Sequence, residues 1–308
     1  MRLLKKTNIN FLGARKICYA ISGALVLVGI LSLIFGGLDF GIDFRGGTEL
    51  IVKFSNPIEV SEIRSALDKV GLGRSEIKLY GGEGTMFLIR TTEQGEGNII
   101  SDKIKETLQK GFPTNAFEVL REDKIGPKIG KELRLDALYA VLWSLVAILI
   151  YVAFRFKYTF GIGAVVALMH DVLTTFAFLT IINQLFPALN VEITQEVIAA
   201  FLTIIGVSVN DTVVIFDRIR ENLKLHRSLP LMDVMNQSVN ETLSRTIITN
   251  GTIFIVLLVL LLFGGEVLRG FALTLTFGTI TGTYSTIYIA SSFVLDFTNY
   301  MGKRKKKS

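Results

Sequence analysis

The sequence predicts an α-helical polytopic membrane protein with six transmembrane helices and an α+β ferredoxin-like extracytoplasmic domain between helices one and two. Three observations carry this reading. Half of the 308 residues are hydrophobic and only 19% are charged, and the apolar residues gather into runs near the ~20 residues a helix needs to cross a bilayer. Residues 38–134 break that pattern with short alternating and helical segments of soluble character. The basic residues behind the +6 net charge sit at the two ends and beside apolar runs. That placement points to membrane orientation rather than nucleic-acid binding.

Residues 1–16 carry Arg2, Lys5, Lys6, Arg15 and Lys16 with no acidic residue, a cytoplasmic flank by the positive-inside rule. The first span is expected at 17–37, where Ser22, Gly23, Gly29 and Gly36 permit close helix contact. It is too long for a signal-peptide core and lacks a clear cleavage site, so it reads as a span. The single cysteine, Cys18, leaves no disulfide framework within one chain. The glycines of Gly41-Ile-Asp-Phe-Arg-Gly-Gly-Thr48 suit a sharp exit into a strand, and their spacing is not that of a phosphate loop.

Within 38–134, strands are expected at 48–54, 76–80, 86–91 and 116–121, and helices at 60–70 and 99–110. Gly81-Gly-Glu-Gly84 reads as a hairpin turn. The order βαββαβ is that of a split βαβ domain. It holds no histidine or cysteine, and no paired carboxylates can be placed together in it, so it reads as a binding or lever domain. A charged connector with a Gly126-Pro127 turn closes it. Spans two to six are expected at 135–154, 160–182, 196–216, 243–263 and 271–293, followed by a basic tail at 294–308. The basic loop at 155–159 and a mixed-charge loop at 217–242 fall on the side of the termini. The two short opposite loops contain only Arg269 among the basic residues. Both termini are therefore expected inside and the soluble domain outside. Spans one to three and four to six also read as two repeats, only the first with a large insertion.

The fourth span ends in Gly206–Asn222, where Asn210 and Asp211 interrupt the apolar run before Val213. A carboxylate inside such a segment costs roughly 2.5–3.5 kcal/mol on insertion scales, so it needs a task or a partner. Helical spacing sets Thr203, Gly206, Asn210, Asp211 and Asp217 on one side of span four. It does the same for Thr242, Arg245, Thr246, Thr249 and Thr252 on span five, and for Thr274, Gly278, Thr281, Gly282 and Ser285 on span six. Gly206, Gly278 and Gly282 are candidates for close helix packing. Asp211 and Arg245 both fall in the inner half of the membrane, about one helical turn apart in depth. Proximity to Arg245 would favour the carboxylate, and separation in a dry setting would favour a bound proton. Alternation between the two would carry protons down their gradient, and a static buried pair fixing helix register is the competing reading.

Asp171 is the second inward carboxylate candidate. Its neighbour His170 lies about 100° away on the helix and is not expected to share its site. Asp217, Arg218 and Arg220 read as solvated anchors, and His226 as an isolated loop residue. Two histidines and one cysteine make a metal site an unfavoured reading, and no nucleophile–base or nucleotide constellation points to an enzyme.

Four stretches together resemble the SecD/SecF family of protein-export membrane proteins, in the resistance-nodulation-division superfamily. They are Gly41–Thr48, Gly206–Asn222, Thr242-Leu-Ser-Arg-Thr246 and Gly282-Thr-Tyr-Ser-Thr-Ile-Tyr-Ile-Ala290. The resemblance covers nearly the whole chain. It implies six spans, no cofactor beyond protons as coupling ion, and pairing with SecD beside the SecYEG channel, with YajC and YidC as further candidates. It also implies that proton flow helps to pull or release unfolded exported chains, and it assigns the intramembrane carboxylate to Asp211 and its basic partner to Arg245. Thr286 stands where the family often has serine and keeps the hydroxyl. A structural scaffold without proton coupling, and half of a small-molecule or lipid exporter, are the alternative functions.

Overall fold

The computed structural model describes residues 7–37, 39–80, 84–93, 95, 98–189 and 191–305. Arg2, Lys5 and Lys6, the first three residues of the expected 81–84 turn, and Lys306 and Lys307 of the tail lie outside the described residues. The chain divides into two compact units. One comprises Leu38–Leu138 with Phe186–Gln195, and the other is Met1–Gly37, Tyr139–Leu185 and Glu196–Ser308.

In the first unit a one-turn helix α2 (Ile42–Arg45) leads into β1 (Gly47–Phe54), α3 (Val60–Asp68), β2 (Glu76–Leu79), β3 (Met86–Thr91), α4 (Ile99–Gly111) and β4 (Phe117–Ile125). The four strands form one antiparallel sheet in the order β2-β3-β1-β4. Leu50, Val52 and Phe54 project from alternate positions of β1 into a core with Phe87, Ile89, Ile63, Leu67, Ile104 and Leu108, as the two-residue strand period requires. α3 and α4 supply the other half of that core through Ile63, Leu67, Ile104 and Leu108. Gly46 and Gly47 have φ of 76° and 131°, backbone conformations that only glycine adopts without strain. A side chain on Gly47 would also strike the carbonyl of Thr91 on the paired strand.

The second unit is a helical bundle. α1 (Arg15–Gly36), the later part of α5 (Pro127–Arg155), α6 (Tyr158–Leu185), α7 (Gln195–Leu225), α8 (Leu231–Phe263), α9 (Gly265–Ser285) and α10 (Ser291–Lys305) make it up. Phe156, Phe160 and Phe216 meet edge to face or tilted in its core, with Val239, Leu243 and Ala290 around them. Trp143, Phe154, Val256 and Phe263 are exposed. Large apolar side chains pointing outward from long helices suit hydrocarbon, not water.

Among the described residues, five helical stretches are long and apolar enough to cross a membrane: Leu12–Phe35, Lys128–Arg155, Tyr158–Leu185, Gln195–Leu225 and Leu231–Phe263. The sixth expected span is not among them. The stretch expected at 271–293 is helical, but a π-turn at Thr286–Ala290 divides it, and threonines and glycines dilute its apolar character. The expected 217–242 loop is also mostly helix. α7 runs to Leu225 and α8 starts at Leu231, so Arg218, Arg220 and Lys224 lie on a helical extension and Arg227 in the turn.

Candidate functional site

α7 is apolar but for Thr203 from Val197 to Ile205, and the packing of its buried face against neighbouring helices turns Asp211 inward, where it is only 5% exposed. Its Oδ2 accepts a hydrogen bond from the Asn250 amide of α8. The same amide nitrogen donates to Thr283 Oγ1 of α9 at 2.7 Å. One turn earlier on α7, the Ser208 hydroxyl donates to Asp171 Oδ2 at 2.5 Å. Asp171 is fully buried, and its other oxygen lies 3.1 Å from His170 Nδ1. His170 Nε2 is 2.9 Å from Ser22 Oγ of α1, which lies 3.2 Å from the Tyr284 hydroxyl. Tyr284 in turn donates to the Cys18 carbonyl at 2.9 Å.

Consecutive residues of α9 thus serve two carboxylates. Thr283 faces the Asn250–Asp211 pair, Tyr284 faces Ser22 and His170, and Gly282 faces Ser208 and Asp171. A Cβ on Gly282 would meet Ser208 Cβ at 3.3 Å and Asp171 Oδ2 at 3.8 Å, so glycine lets α9 approach the second carboxylate. At Gly278 a Cβ would collide with the Ile204 side chain. At Gly206 it would meet nothing within 4 Å, so packing within this chain does not call for glycine there.

Arg245 acts on Asp211 electrostatically from beyond ion-pair range. No ion pair within 4.0 Å joins it to Asp211 among the described residues; it is exposed and lines a cavity of about 590 Å³ with Arg155, Asp217, Arg218, Glu241 and Thr242. The supposed solvated anchors are bonded there: Asp217 with Arg155 at 2.7 Å, and Arg218 with Glu241 at 2.5 Å and Glu221 at 2.6 Å. The polar stripe of α7 also divides. Thr203, Gly206 and Asn210 are exposed, whereas Asp211 is buried, because neighbours on a helix point about 100° apart. Thr203 spends its hydroxyl on the Ala199 carbonyl at 2.8 Å. Thr246 is buried and Thr249 half-buried. Among the described residues Thr246 Oγ1 and Asn250 Oδ1 have no hydrogen-bond partner, and their spacing of four residues puts both on the face toward Asp211. His170 does share a site with Asp171, contrary to the sequence expectation. Side chains leaving one helix 100° apart still converge when a third group, here Ser22, draws the ring over. Among the described residues no three metal-ligating side chains form a group.

The family described as protein export membrane protein SecD/SecF, C-terminal, matches residues 103–300, and the SecD/SecF GG motif matches residues 31–58. The chain belongs to the SecD/SecF family. The protein translocase subunit SecF of Rhodothermus marinus is 42% identical over 306 residues, covering 99% of this chain and 98% of that one. Its counterpart from Calditerrivibrio nitroreducens is 40% identical over 96% of each chain. Among solved structures, SecDF of Thermus thermophilus superposes with a TM-score of 0.82 at 36% identity, and a super-membrane-facing form of SecDF with 0.71 at 35%. These cover 95% and 100% of this chain but only 39% and 41% of the SecDF chains, so the chain spans about two fifths of their length. As a SecF-type member of the SecD/SecF family it is a polytopic membrane protein of the export machinery. Its mixed α/β domain, between the first and second membrane helices, is extracytoplasmic, and both termini lie on one side.

Proposed function

We propose that this SecF-type subunit couples proton passage across the bacterial cell membrane to late steps of protein export, with Asp211 as the proton-carrying group. One observation carries the reading: a carboxylate buried in a membrane helix is held by a neutral, reorientable amide, while the candidate cation Arg245 lines a cavity among other charged side chains. A purely architectural ion pair would keep its partners in contact. Arg245 then acts as the switch partner that Asp211 meets in another state, and Asp171 with Ser208 as a second protonatable station. Thr246 and Thr249 line the polar face of α8 beside them, with Gly278 and Gly282 allowing close approach, while Thr203, Gly206 and Asn210 form the outward face of α7.

In this proposal Gly265–Lys305 is the sixth crossing, which termini on one side require, and residues 38–134 form a ferredoxin-like domain moved by the bundle. The solved SecDF chains extend well beyond the matched part. SecD is therefore the proposed partner, and the exposed stripe Thr203, Gly206 and Asn210 gives a flat, small-residue face for it. SecYEG, YajC and YidC are proposed further associates, and unfolded exported polypeptides the cargo. Export into membrane vesicles carrying Asp211→Asn or Arg245→Met tests the reading. Loss of export with normal assembly is expected, and wild-type export in both variants would refute it.

A further inference from the structure

The glycine-flanked segment after α1 carries the chain out of the membrane. Its side chains do more. Asp43 is 8% exposed although carboxylates are rarely buried without a partner. Its Oδ2 accepts a hydrogen bond from the backbone N–H of Gln195 at 2.9 Å. Gln195 is the first residue of α7, whose opening turn has N–H groups without intrahelical acceptors and carries a partial positive charge. The helix that begins on Asp43 is the helix that carries Asp211.

The residues just before α7 are fastened to the same unit in two other ways. Main-chain bonds join Gly41 N to the Ile193 carbonyl at 2.9 Å and Ile193 N to the Asp39 carbonyl at 2.8 Å, a parallel bridge between Phe40 and Ile193. Glu192 receives Arg90 of β3 at 2.5 and 3.0 Å. On the other side, Arg134 of α5 donates to the Phe44 carbonyl at 2.8 Å and stacks 4.6 Å over the Phe40 ring. A Cβ on Gly130 of α5 would meet Gly46 N at 3.2 Å and the Asp43 carbonyl at 3.3 Å. The segment Phe40–Gly46 is therefore a knot where the chain leaving α1, the start of α5 and the start of α7 all attach beside the first strand of the sheet.

We propose that Asp43 is a positioning residue of the export cycle: it fastens the first turn of α7 to the outer domain, so displacements of the Asp211 helix reach that domain. Glu192 and Arg90 keep the preceding loop on the sheet, so the fastening holds under load. This rests on the proton-coupling reading above, and the experiment separates the two. Proton flux and export are measured together in vesicles containing the full chain, as wild type, Asp43→Ala, Asp43→Asn and Asp211→Asn. Asp43→Ala is expected to lower export at least about fivefold, the lower end of ordinary coupling factors, while proton flux persists. Asp43→Asn, which also accepts from a helix N–H, is expected to recover most of the export. A merely structural role would lower flux and export together. To guard against poor folding of the alanine variant, Asp43→Cys with Gln195→Cys is made in a Cys18→Ser background. Closing that pair with a short, reducible bis-thiosulfonate linker is expected to raise export, and reduction to lower it again. Export within about twofold of wild type for Asp43→Ala, or joint loss of flux and export that the linker does not reverse, overturns the proposal. Wild-type flux and export in Asp211→Asn would instead overturn the proton reading.

Discussion

Each unit of the molecule buries a group of carboxylates, and the two groups are held in opposite ways. In the outer domain, Arg90 is 4% exposed and bonds Glu49 and Glu192 at 2.5 Å each, with Glu76 at 3.3 Å. Burial works against the guanidinium charge there, but the bonds from Glu192 and Glu49 outweigh it and hold Arg90 above its ordinary value. Burial pushes the Glu49 carboxyl above the usual carboxylate range, with Arg90 pulling the other way. In the helical bundle, Asp211 and Asp171 face an amide, a hydroxyl and an imidazole instead. A guanidinium held between carboxylates fixes charge and geometry together. An amide or hydroxyl can turn, accept or donate, and leaves the carboxylate able to gain or lose a proton. The first arrangement suits a fastening, and the second suits a moving charge.

The comparison breaks most readily at Arg90. Arg90→Met should destabilise the outer sheet by about 3–5 kcal/mol, because it leaves buried carboxylates without a counter-charge. Hydrogen exchange of β1 and β3 in the full-length protein measures this, and protection equal to wild type would show that Arg90 is dispensable. Glycines sharpen the bundle side. Gly278→Val should cost about 1–3 kcal/mol by overpacking against Ile204, whereas Gly206→Ala should stay within about 0.5 kcal/mol. Thermal unfolding of the two variants in detergent reads the difference.

Acid titration separates two carboxylates within the outer domain itself. Glu49 has a raised pKa, so its contribution is full below its unfolded pKa and is lost as pH rises through its folded value. Glu122 is held low by the hydrogen bonds from Lys105 and Ser101. Its contribution is present above its unfolded pKa and is lost as pH falls through its folded value. Glu49→Gln should therefore make stability fall more steeply on acidification, and Glu122→Gln should flatten it. Hydrogen exchange of β1 and β4 between pH 7 and about pH 4 checks both signs, spanning the ordinary carboxylate range. The smallest effect is expected at Lys105, which meets Glu122 at 2.6 Å with both side chains about a third exposed. Lys105→Gln should cost under about 1 kcal/mol, as solvent-screened pairs do, and the same exchange measurement reports it.

The elements of the outer domain were legible because its strands alternate in a two-residue period and turn residues separate them. Its ion cluster was not. Glu49 and Glu76 stand opposite Arg90 only through the pairing register of three strands, and Glu192 arrives from a loop a hundred positions away. In the bundle, spacing found the apolar face and the inward carboxylates Asp211 and Asp171. It could not choose between Arg245 and Asn250 as the partner, since both lie near one polar stripe of α8 and the rotation of that helix decides. An asparagine in an apolar run was the available signal. The last crossing was readable as helix, but its π-turn is a main-chain adjustment that no side-chain period announces.

Proton flux across vesicles containing this chain with the proposed SecD partner tests the central claim most directly. Asp211→Asn preserves the shape and the bond to Asn250 can be remade by an amide, so α7 should fold and assemble as before. The account predicts that such vesicles lose export-linked proton flux while retaining wild-type amounts of assembled protein. Undiminished flux from Asp211→Asn would contradict it.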